Sequence, residues 1–271
     1  MIRNTIHTFR SKCRALVCSL LTLAVFPQFV SGQAKSAMTD KPFDVTRWIE
    51  THFAKGKIPP FSFVYDGKPS RELLKKWKYT AARVESDEPE AVEYLYTYLD
   101  RSTGLQVECR VKGFTDFDVV EWVLNFKNDS QANSASISQV KVVDLDFEYP
   151  QKGDFILHYA DGSHVSKHDF HQRTKVLAPG DSLYMAPQGG RSSQVAFPFF
   201  NIESPAGQGV MVAVGWTGTW FADIAGKTDR SVTLASGMKY LDTYLYPQES
   251  IRTPSICLLF WKGDDRMVGP D

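Results

Sequence analysis

Three short runs in the last third of the chain carry side chains that could bind a sugar. They are 189–193 (Gly-Gly-Arg-Ser-Ser), 197–201 (Phe-Pro-Phe-Phe-Asn) and 215–220 (Gly-Trp-Thr-Gly-Thr-Trp). Sugars are commonly held by aromatic faces, with a few convergent polar groups that fix their orientation. The runs therefore predict a carbohydrate-binding surface, unless the same rings are packed in the core.

The arginine and the two tryptophans of these runs each allow two interpretations. Arg191 could reach a ligand hydroxyl or a neighbouring carboxylate, or it could tie its own loop down by hydrogen bonds. Trp216 and Trp220 share a face if they lie on one strand, whereas Gly218 could instead mark a tight turn between two strands. An exposed pair of rings would stack on a sugar, and a buried pair would fill the space between sheets.

Histidines and carboxylates crowd a polar segment that precedes these runs. The segment holds His158, His164, His168 and His171, together with Asp161 and Asp169. Their spacing fits no standard zinc pattern, so we predict no metal site and a loop that faces a ligand or another domain.

Hydrolysis of a glycosidic bond needs two carboxylates. The loop carboxylates that could be considered are Asp161, Asp169, Glu203 and Asp223, and no spacing favours any pair.

The charge balance and the cysteines exclude several classes of protein. The chain has 31 Lys and Arg against 31 Asp and Glu, and no basic block argues for a nucleic acid partner. Cys109 and Cys257 lie in apolar, strand-like runs. They could form one disulfide if their Cα atoms lie within about 7 Å, or remain as buried thiols. Neither a Cys-rich scaffold nor a cofactor motif is present, so we predict no cofactor.

Residues 1–32 have the layout of a secretory signal peptide. A basic segment at 3–14 precedes an apolar stretch at 15–26, and small residues at 30–32 offer a cleavage point. The apolar stretch is shorter than the roughly 20 residues of a transmembrane helix, although an uncleaved N-terminal anchor is the alternative. We therefore predict a secreted or periplasmic protein, with no stable membrane span after cleavage.

The rest of the chain predicts a flexible polar lead-in at 33–42 and one domain at 43–271. One helix is clear, because the apolar residues that recur at helical spacing are Val45, Trp48, Ile49, His52 and Phe53. Asp44 can cap this helix and Gly56 can end it, and we interpret His52 as a packed residue. A second short helix is expected at 70–77. Strand patterns at fairly regular spacing follow, which is typical of an all-β protein with two large antiparallel sheets.

Several motifs, taken in order, resemble a known family. They are the three runs above together with 58–70 (Ile-Pro-Pro-Phe-Ser-Phe-Val-Tyr-Asp-Gly-Lys-Pro-Ser), 103–105 (Thr-Gly-Leu), 120–128 (Val-Glu-Trp-Val-Leu-Asn-Phe-Lys-Asn), 252–255 (Arg-Thr-Pro-Ser) and 258–264 (Leu-Leu-Phe-Trp-Lys-Gly-Asp). This set is similar to the N-terminal domain of the glycoside hydrolase family 36 α-galactosidases. The resemblance implies a β-supersandwich that precedes a (β/α)₈ barrel, and the barrel carries the two catalytic aspartates.

The resemblance ends near Arg266, so it predicts no catalytic residue within this chain. It implies that Arg191, Ser192, Phe200, Trp216, Trp220 and Asp161 contribute to substrate binding or to a domain interface. The expected partner is an α-galactoside or another carbohydrate, or a separate (β/α)₈ catalytic domain. Three hypotheses follow: a piece of a secreted α-galactosidase without catalysis of its own, a free-standing carbohydrate-binding or protein-interaction module, and a mutarotase-like enzyme on the same fold.

Overall fold

The longest helix lies where the apolar spacing predicts it. The computed structural model describes residues 33–37 and 43–263, and within them α1 spans Val45–Phe53. Asp44 caps α1, because its carboxylate accepts a hydrogen bond at 2.9 Å from the backbone N–H three residues along the chain. The predicted apolar face of α1 is its buried face. Burial lowers the pKa of His52, although both ring nitrogens contact backbone carbonyl oxygens, so the packed interpretation is confirmed.

Strands form most of the described chain. In chain order the elements are β1 (Ala34–Ala37), α1 (Val45–Phe53), β2 (Ser62–Tyr65), β3 (Lys68–Pro69), α2 (Ser70–Leu73), β4 (Lys78–Val84), β5 (Ala91–Leu99), β6 (Leu105–Phe114), β7 (Val119–Asn128), β8 (Ile137–Glu148), β9 (Phe155–Asp161), β10 (Gln172–Leu177), β11 (Ser182–Met185), β12 (Ala196–Glu203), β13 (Gln208–Gly215), β14 (Trp220–Thr228), β15 (Ser231–Met238), β16 (Asp242–Thr243) and β17 (Ser250–Lys262). Helix α2 ends before the predicted position, because Trp77 is buried and β4 begins at the next residue. Neither helix of this described part is long and apolar enough to cross a membrane.

These strands form two large sheets. The first has eight strands in the order β11-β14-β15-β8-β2-β3, and β1 and β16 also pair with β8. The second has nine strands in the order β10-β9-β12-β13-β17-β7-β6-β5-β4. The described pairings are antiparallel, except that β1 runs parallel to β8. The all-β supersandwich expected from the sequence is therefore confirmed.

Alternating side chains fill the space between the sheets. The residues of β6 and β7 that point inward are almost completely buried, and they are Leu105, Val107, Cys109, Val111, Val120, Trp122, Leu124 and Phe126. Burying one large apolar side chain contributes about 1.5–3 kcal/mol. Helix α1 approaches β6 at Gly113, where a Cβ would lie 2.3 Å from Cγ1 of Val45 and 2.7 Å from Cδ1 of Ile49. The missing side chain at Gly113 therefore lets the helix pack close to the sheet.

The residues of β1 fall within the lead-in predicted at 33–42 and form a strand. They pair in parallel with residues 145–148 of β8. Helix α1 fixes this strand from the other side, because Trp48 Nε1 donates a 2.8 Å hydrogen bond to Ser36 Oγ and His52 Nε2 lies 3.0 Å from the carbonyl oxygen of Lys35. A four-residue strand of small and polar residues shows no alternation that would reveal it. The signal peptide predicted at 1–32 lies outside the described residues.

The two cysteines do not form a disulfide. Both are free, and they lie on opposite faces of the nine-stranded sheet. Cys109 points into the core from β6, and Cys257 points outward from β17. Burial raises the pKa of both thiols, that of Cys257 to about 11. Both thiols therefore stay protonated near neutral pH and are weak nucleophiles.

Candidate functional site

The aromatic and glycine-rich runs meet at one end of the sandwich, which we call the loop end. Strand β9 finishes at Asp161, which pairs with Ala196 at the start of β12. Strand β13 finishes at Gly215, shortly before β14 begins at Trp220. In the eight-stranded sheet, Trp220 pairs with Met238, the last residue of β15. The loops at 162–171, 186–195, 216–219 and 239–249 therefore all emerge at the loop end.

The loop at 186–195 is shaped by a glycine turn. Gly189 has a φ of +66° and the glycine that follows it has a φ of +77°, a left-handed conformation that glycine adopts without strain. The carbonyl oxygen of Ser192 then accepts a 2.7 Å hydrogen bond from Nε1 of Trp220. Arg191 is exposed, and its Nε lies 3.5 Å from Oε1 of Gln194 in the same loop. Ser192 thus fixes the loop to the core, while Arg191 remains at the surface.

Two of the aromatic residues expected at a binding surface lie in the core instead. Trp220 is 0% exposed and Phe200 is 4% exposed, so neither ring reaches the surface. Trp216 is half-buried in the turn at 216–219. A Cβ on Gly218 would lie 2.6 Å from Nε1 of Trp216, so this glycine makes room for the ring. Of the two arrangements considered for Trp216 and Trp220, the structure has the turn, so the two tryptophans do not share a strand.

The histidine-rich loop at 162–171 is organised by Asp169. The carboxylate of Asp169 accepts hydrogen bonds from Ser163 Oγ at 2.6 Å and from the backbone N–H groups of His164 at 2.8 Å and Val165 at 3.0 Å. The hydrogen bonds from Ser163 and His164 hold the pKa of Asp169 well below its usual range. An ionised Asp169 therefore fixes the backbone of the loop.

Backbone contacts join the histidine-rich loop to the loop at 186–195. The N–H of Gly162 donates to the carbonyl oxygen of Val195, and the N–H of Ser163 donates to that of Ser193, both at 2.8 Å. A Cβ on Gly162 would lie 2.1 Å from the carbonyl oxygen of Ser193. Only glycine permits this close approach, so the two loops form one connected layer over the loop end.

Among the described residues, no group of three or more His, Cys, Asp or Glu side chains could hold a metal ion. His164, His168 and His171 are exposed at the loop end. His158 instead lies on the outer face of the nine-stranded sheet, with Nε2 2.8 Å from Oε2 of Glu203. Glu203 is buried, so this His–Glu pair presents no open carboxylate to a substrate.

A cavity of about 300 Å³ opens at the loop end between β9 and β11. Its polar wall includes Asp161, Tyr184, Gln188 and Lys239. Tyr184 is about half exposed and stacks on Phe221, with ring centroids 6.0 Å apart and an interplanar angle of 11°. The Nζ atom of Lys239 lies 6.0 Å from the centroid of the Tyr184 ring. An aromatic face beside a cation, a carboxylate and an amide suits a polyhydroxylated ligand.

The carboxylates of the loop end do not form a hydrolytic pair. Asp161 is the one carboxylate in the cavity wall, and Arg173 donates to its Oδ2 from Nε at 3.0 Å and from Nη2 at 2.7 Å. These bonds lower the pKa of Asp161. Asp169 is used to build its loop, and Asp223 lies on β14 outside the cavity wall. The cavity therefore lacks the second carboxylate of a glycosidase.

An aromatic patch lies on the outer face of the nine-stranded sheet, beside the loop end. We define this patch as Phe170, Phe197, Phe199 and Met211. The ring centroids of Phe170 and Phe197 are 5.4 Å apart, and those of Phe197 and Phe199 are 5.2 Å apart. Phe170, Phe199 and Met211 are 51%, 53% and 41% exposed. Phe170 also has a φ of +58°, which is a strained conformation for a bulky residue.

The comparison with protein families decides the classification. The family described as glycosyl hydrolase family 36 N-terminal domain matches residues 27–246. The chain belongs to this family. No curated protein matches the sequence. Membership agrees with the resemblance carried by the sequence motifs.

Solved structures of family 36 enzymes share the sandwich. The α-galactosidase from Lactobacillus brevis is 17% identical with a TM-score of 0.59, and the match covers 76% of this chain and 29% of that chain. The α-galactosidase AgaA from Geobacillus stearothermophilus is 16% identical with a TM-score of 0.56, and the match covers 94% of this chain and 38% of that chain. AgaB from the same organism is 15% identical, with a TM-score of 0.57, over 76% of this chain and 30% of that chain. This family 36 chain therefore spans well under half the length of those enzymes.

Sequence reasoning missed several residues that line the cavity and the aromatic patch of this family 36 domain. Tyr184 and Lys239 were not singled out, because β11 is short and Lys239 follows the end of β15. Phe199 was quoted within a motif but not distinguished from its neighbour Phe200. The alternation of β12 carries the signal, since successive residues of a strand point to opposite faces. Locating β12 would have shown that these two rings point to opposite faces of the sheet.

Proposed function

We propose that this domain is the non-catalytic N-terminal part of an α-galactosidase, and that its aromatic patch packs against a (β/α)₈ catalytic barrel. The substrate class would then be the α-galactoside that the barrel hydrolyses. Membership of the family and the similarity to α-galactosidases of known structure support this assignment. The domain's own contribution is to hold the barrel, since its cavity offers a single carboxylate and α-galactoside hydrolysis requires two.

The observation that carries the proposal is the aromatic patch. The rings of Phe170, Phe197 and Phe199 lie in contact, and those of Phe170 and Phe199 are about half exposed. Together they form an apolar surface on the outer face of the sheet, where polar residues of β12 would be equally compatible with the fold. Contiguous exposed apolar groups mark sites of protein association. Phe170 also has a strained backbone conformation, and such strain is retained where a function requires it. The occupant that fits is the barrel of the same family, because the related enzymes contain additional chain beyond the part that this domain matches.

A binding experiment tests the barrel contact. The purified protein is titrated with the family 36 catalytic barrels of its source organism, each expressed without its own N-terminal domain, and binding is followed by sedimentation. We expect one barrel to bind, and the double substitution Phe170→Ser and Phe199→Ser to weaken binding at least about tenfold, because buried aromatic anchors dominate interface energies. Phe117→Ser is the matched control, since Phe117 is exposed in the turn between β6 and β7 at the other end of the sandwich.

Three outcomes would contradict the proposal. The first is that no barrel binds, and the second is that Phe117→Ser weakens binding as much as the double substitution does. The third is that the purified domain alone hydrolyses p-nitrophenyl α-galactoside. Binding of neutral galactosides in the absence of any barrel would instead favour a free-standing carbohydrate-binding module.

We also propose that the domain is exported, with residues 1–32 removed. The basic, apolar and small-residue segments in that order support this localisation. Mass spectrometry of the protein isolated from its native cells should then find an N-terminus close to residue 33. A cytoplasmic protein that retains residues 1–32 would contradict the proposal, while leaving the proposed barrel contact untouched.

A further inference from the structure

Cationic side chains converge on a concave surface beside β4, at the edge of the nine-stranded sheet that lies opposite β10. We call this surface the basic cavity. Its larger part has a volume of about 440 Å³, and the cations that line it are Lys55, Lys76, Lys78 and Arg101. An adjoining part of about 100 Å³ adds Lys57, Arg71 and Lys75. Because the whole chain has no net charge, the cations that line the basic cavity form a strong local excess of positive charge.

The fold assembles the basic cavity from four separate segments. Lys55 follows α1, Lys76 follows α2, Lys78 begins β4, and Arg101 lies in the turn between β5 and β6. The hydroxyl of Tyr79 donates a 2.7 Å hydrogen bond to a carbonyl oxygen at the end of α1, which holds the first segment against β4. Lysines on edge strands protect against aggregation. That role could explain Lys78, but it does not explain cations that come from three other segments.

The four cations in the larger part of the basic cavity are not paired with carboxylates. Among the described residues, no acidic side chain forms an ion pair with Lys55, Lys76, Lys78 or Arg101. Asp100 is the one carboxylate in the wall of the larger part. Its oxygens accept hydrogen bonds from the N–H and hydroxyl of Ser102 at 2.9 and 2.6 Å, and from the hydroxyl of Thr103 at 2.9 Å. One carboxylate beside four cations leaves most of the positive charge uncompensated.

The shape and lining of the basic cavity indicate the class of ligand. Its larger part falls within the volume range of small-molecule sites, about 300–1,000 Å³, and exceeds what a single inorganic ion needs. Trp77 and Tyr79 line both parts, so aromatic and cationic groups face the same space. Aromatic edges and faces contact sugar rings, while lysine and arginine bind oxyanions. A concave wall of one sign of charge also attracts a compact anion more strongly than a flat surface does.

We propose that the basic cavity binds an acidic saccharide, a sugar whose carboxylate or sulfate groups pair with Lys55, Lys76, Lys78 and Arg101 while its ring lies against Tyr79, beside the largely buried Trp77. This ligand is distinct from the α-galactoside of the proposed barrel. The site also lies at the other edge of the sheet from the aromatic patch, so it does not depend on the proposed docking of a barrel.

Calorimetric titration of the full-length protein tests this site with defined probes. Trigalacturonate supplies carboxylates, an oligosaccharide from sulfated galactan supplies sulfates, and neutral galactotriose supplies neither. We expect at least one acidic probe to bind and the neutral probe not to bind. The double substitution Lys76→Glu and Lys78→Glu should weaken that binding at least about tenfold, because each lost charge-assisted hydrogen bond is costly. Raising the salt concentration should also weaken it.

Matched variants keep the test specific. The double substitution Lys152→Glu and Lys167→Glu makes the same change in net charge at exposed positions outside the cavity, and should leave binding unchanged. Replacing Lys76 and Lys78 by arginine should preserve binding, and thermal unfolding confirms that each variant is folded. The proposal is overturned if neither acidic probe binds, if galactotriose binds equally well, or if the control pair weakens binding as much. Equal binding of single-stranded DNA would indicate an unselective polyanion surface and would also overturn it.

Discussion

Asn128→Asp should destabilise the domain by more than about 3 kcal/mol, because one buried amide satisfies several backbone groups. Asn128 is fully buried. Its Nδ2 donates to the carbonyl oxygens of Ala132, Leu245 and Tyr246 at 2.7, 3.0 and 3.2 Å. Its Oδ1 accepts from the N–H and hydroxyl of Ser130 at 3.1 and 2.7 Å. The substitution would place a carboxylate oxygen against three carbonyl oxygens, where no water can solvate it.

The effect of Asn128→Asp should also depend on pH in a defined direction. Burial and the facing carbonyl oxygens raise the pKa of the new carboxyl in the folded state above its unfolded value of about 3.9. The folded state then binds more protons than the unfolded state, so the free energy of unfolding falls as the pH rises above about 4. Urea unfolding of the variant and of the unsubstituted protein at pH 4 and pH 7 measures this difference, and the loss of stability caused by the substitution should be larger at pH 7.

Asn125→Asp is the matched control for Asn128→Asp. Both asparagines lie on β7, but Asn125 is only half-buried and points to the outer face. Its substitution should change stability by less than about 1 kcal/mol. A similar loss for both variants would show that the hydrogen bonds of Asn128 are not the cause.

The sequence predicts well those helices and strands in which apolar residues recur at a regular spacing within one segment. Helix α1 shows apolar residues at every helical position that faces the sheets, and the buried residues match them. Strands β6 and β7 alternate over ten residues each, because one face of each is in the core. These segments carry their own periodic signal, so a single sequence is enough to locate them.

The segments that the sequence does not reveal are defined by their neighbours. Strands β4, β10 and β11 lie at sheet edges, and their exposed residues do not alternate clearly. Strand β16 covers only Asp242–Thr243. Prediction of the candidate site is limited in the same way, because the residue type alone does not show whether a tryptophan or phenylalanine is buried or exposed. Phe199 and Phe200 are adjacent, and only the register of β12 decides which ring faces solvent.

Trp220→Ala should cost about 3–5 kcal/mol, since it removes a large and fully buried ring between the sheets. Trp220→Phe keeps most of the ring volume but loses the 2.7 Å hydrogen bond to the carbonyl oxygen of Ser192. That loss should cost about 1–3 kcal/mol. Trp216→Ala is the control, because Trp216 is only half-buried in the adjacent turn and should cost less than Trp220→Ala. Chemical unfolding of the three variants gives the order.

Proteolysis separates the two roles of Trp220. The hydrogen bond to Ser192 lies next to Arg191, which is exposed and is a trypsin site. If this bond holds the loop at 186–195 to the core, Trp220→Phe should accelerate cleavage after Arg191 while cleavage after the exposed Arg101 stays unchanged. Equal acceleration at both sites would mean that the variant is globally less stable and that the bond does not hold the loop. Faster cleavage after Arg191 alone would show that Trp220 holds the glycine-rich run at 189–193 in place. Because the Trp220 ring is fully buried, it would do so from within the core and out of reach of a ligand.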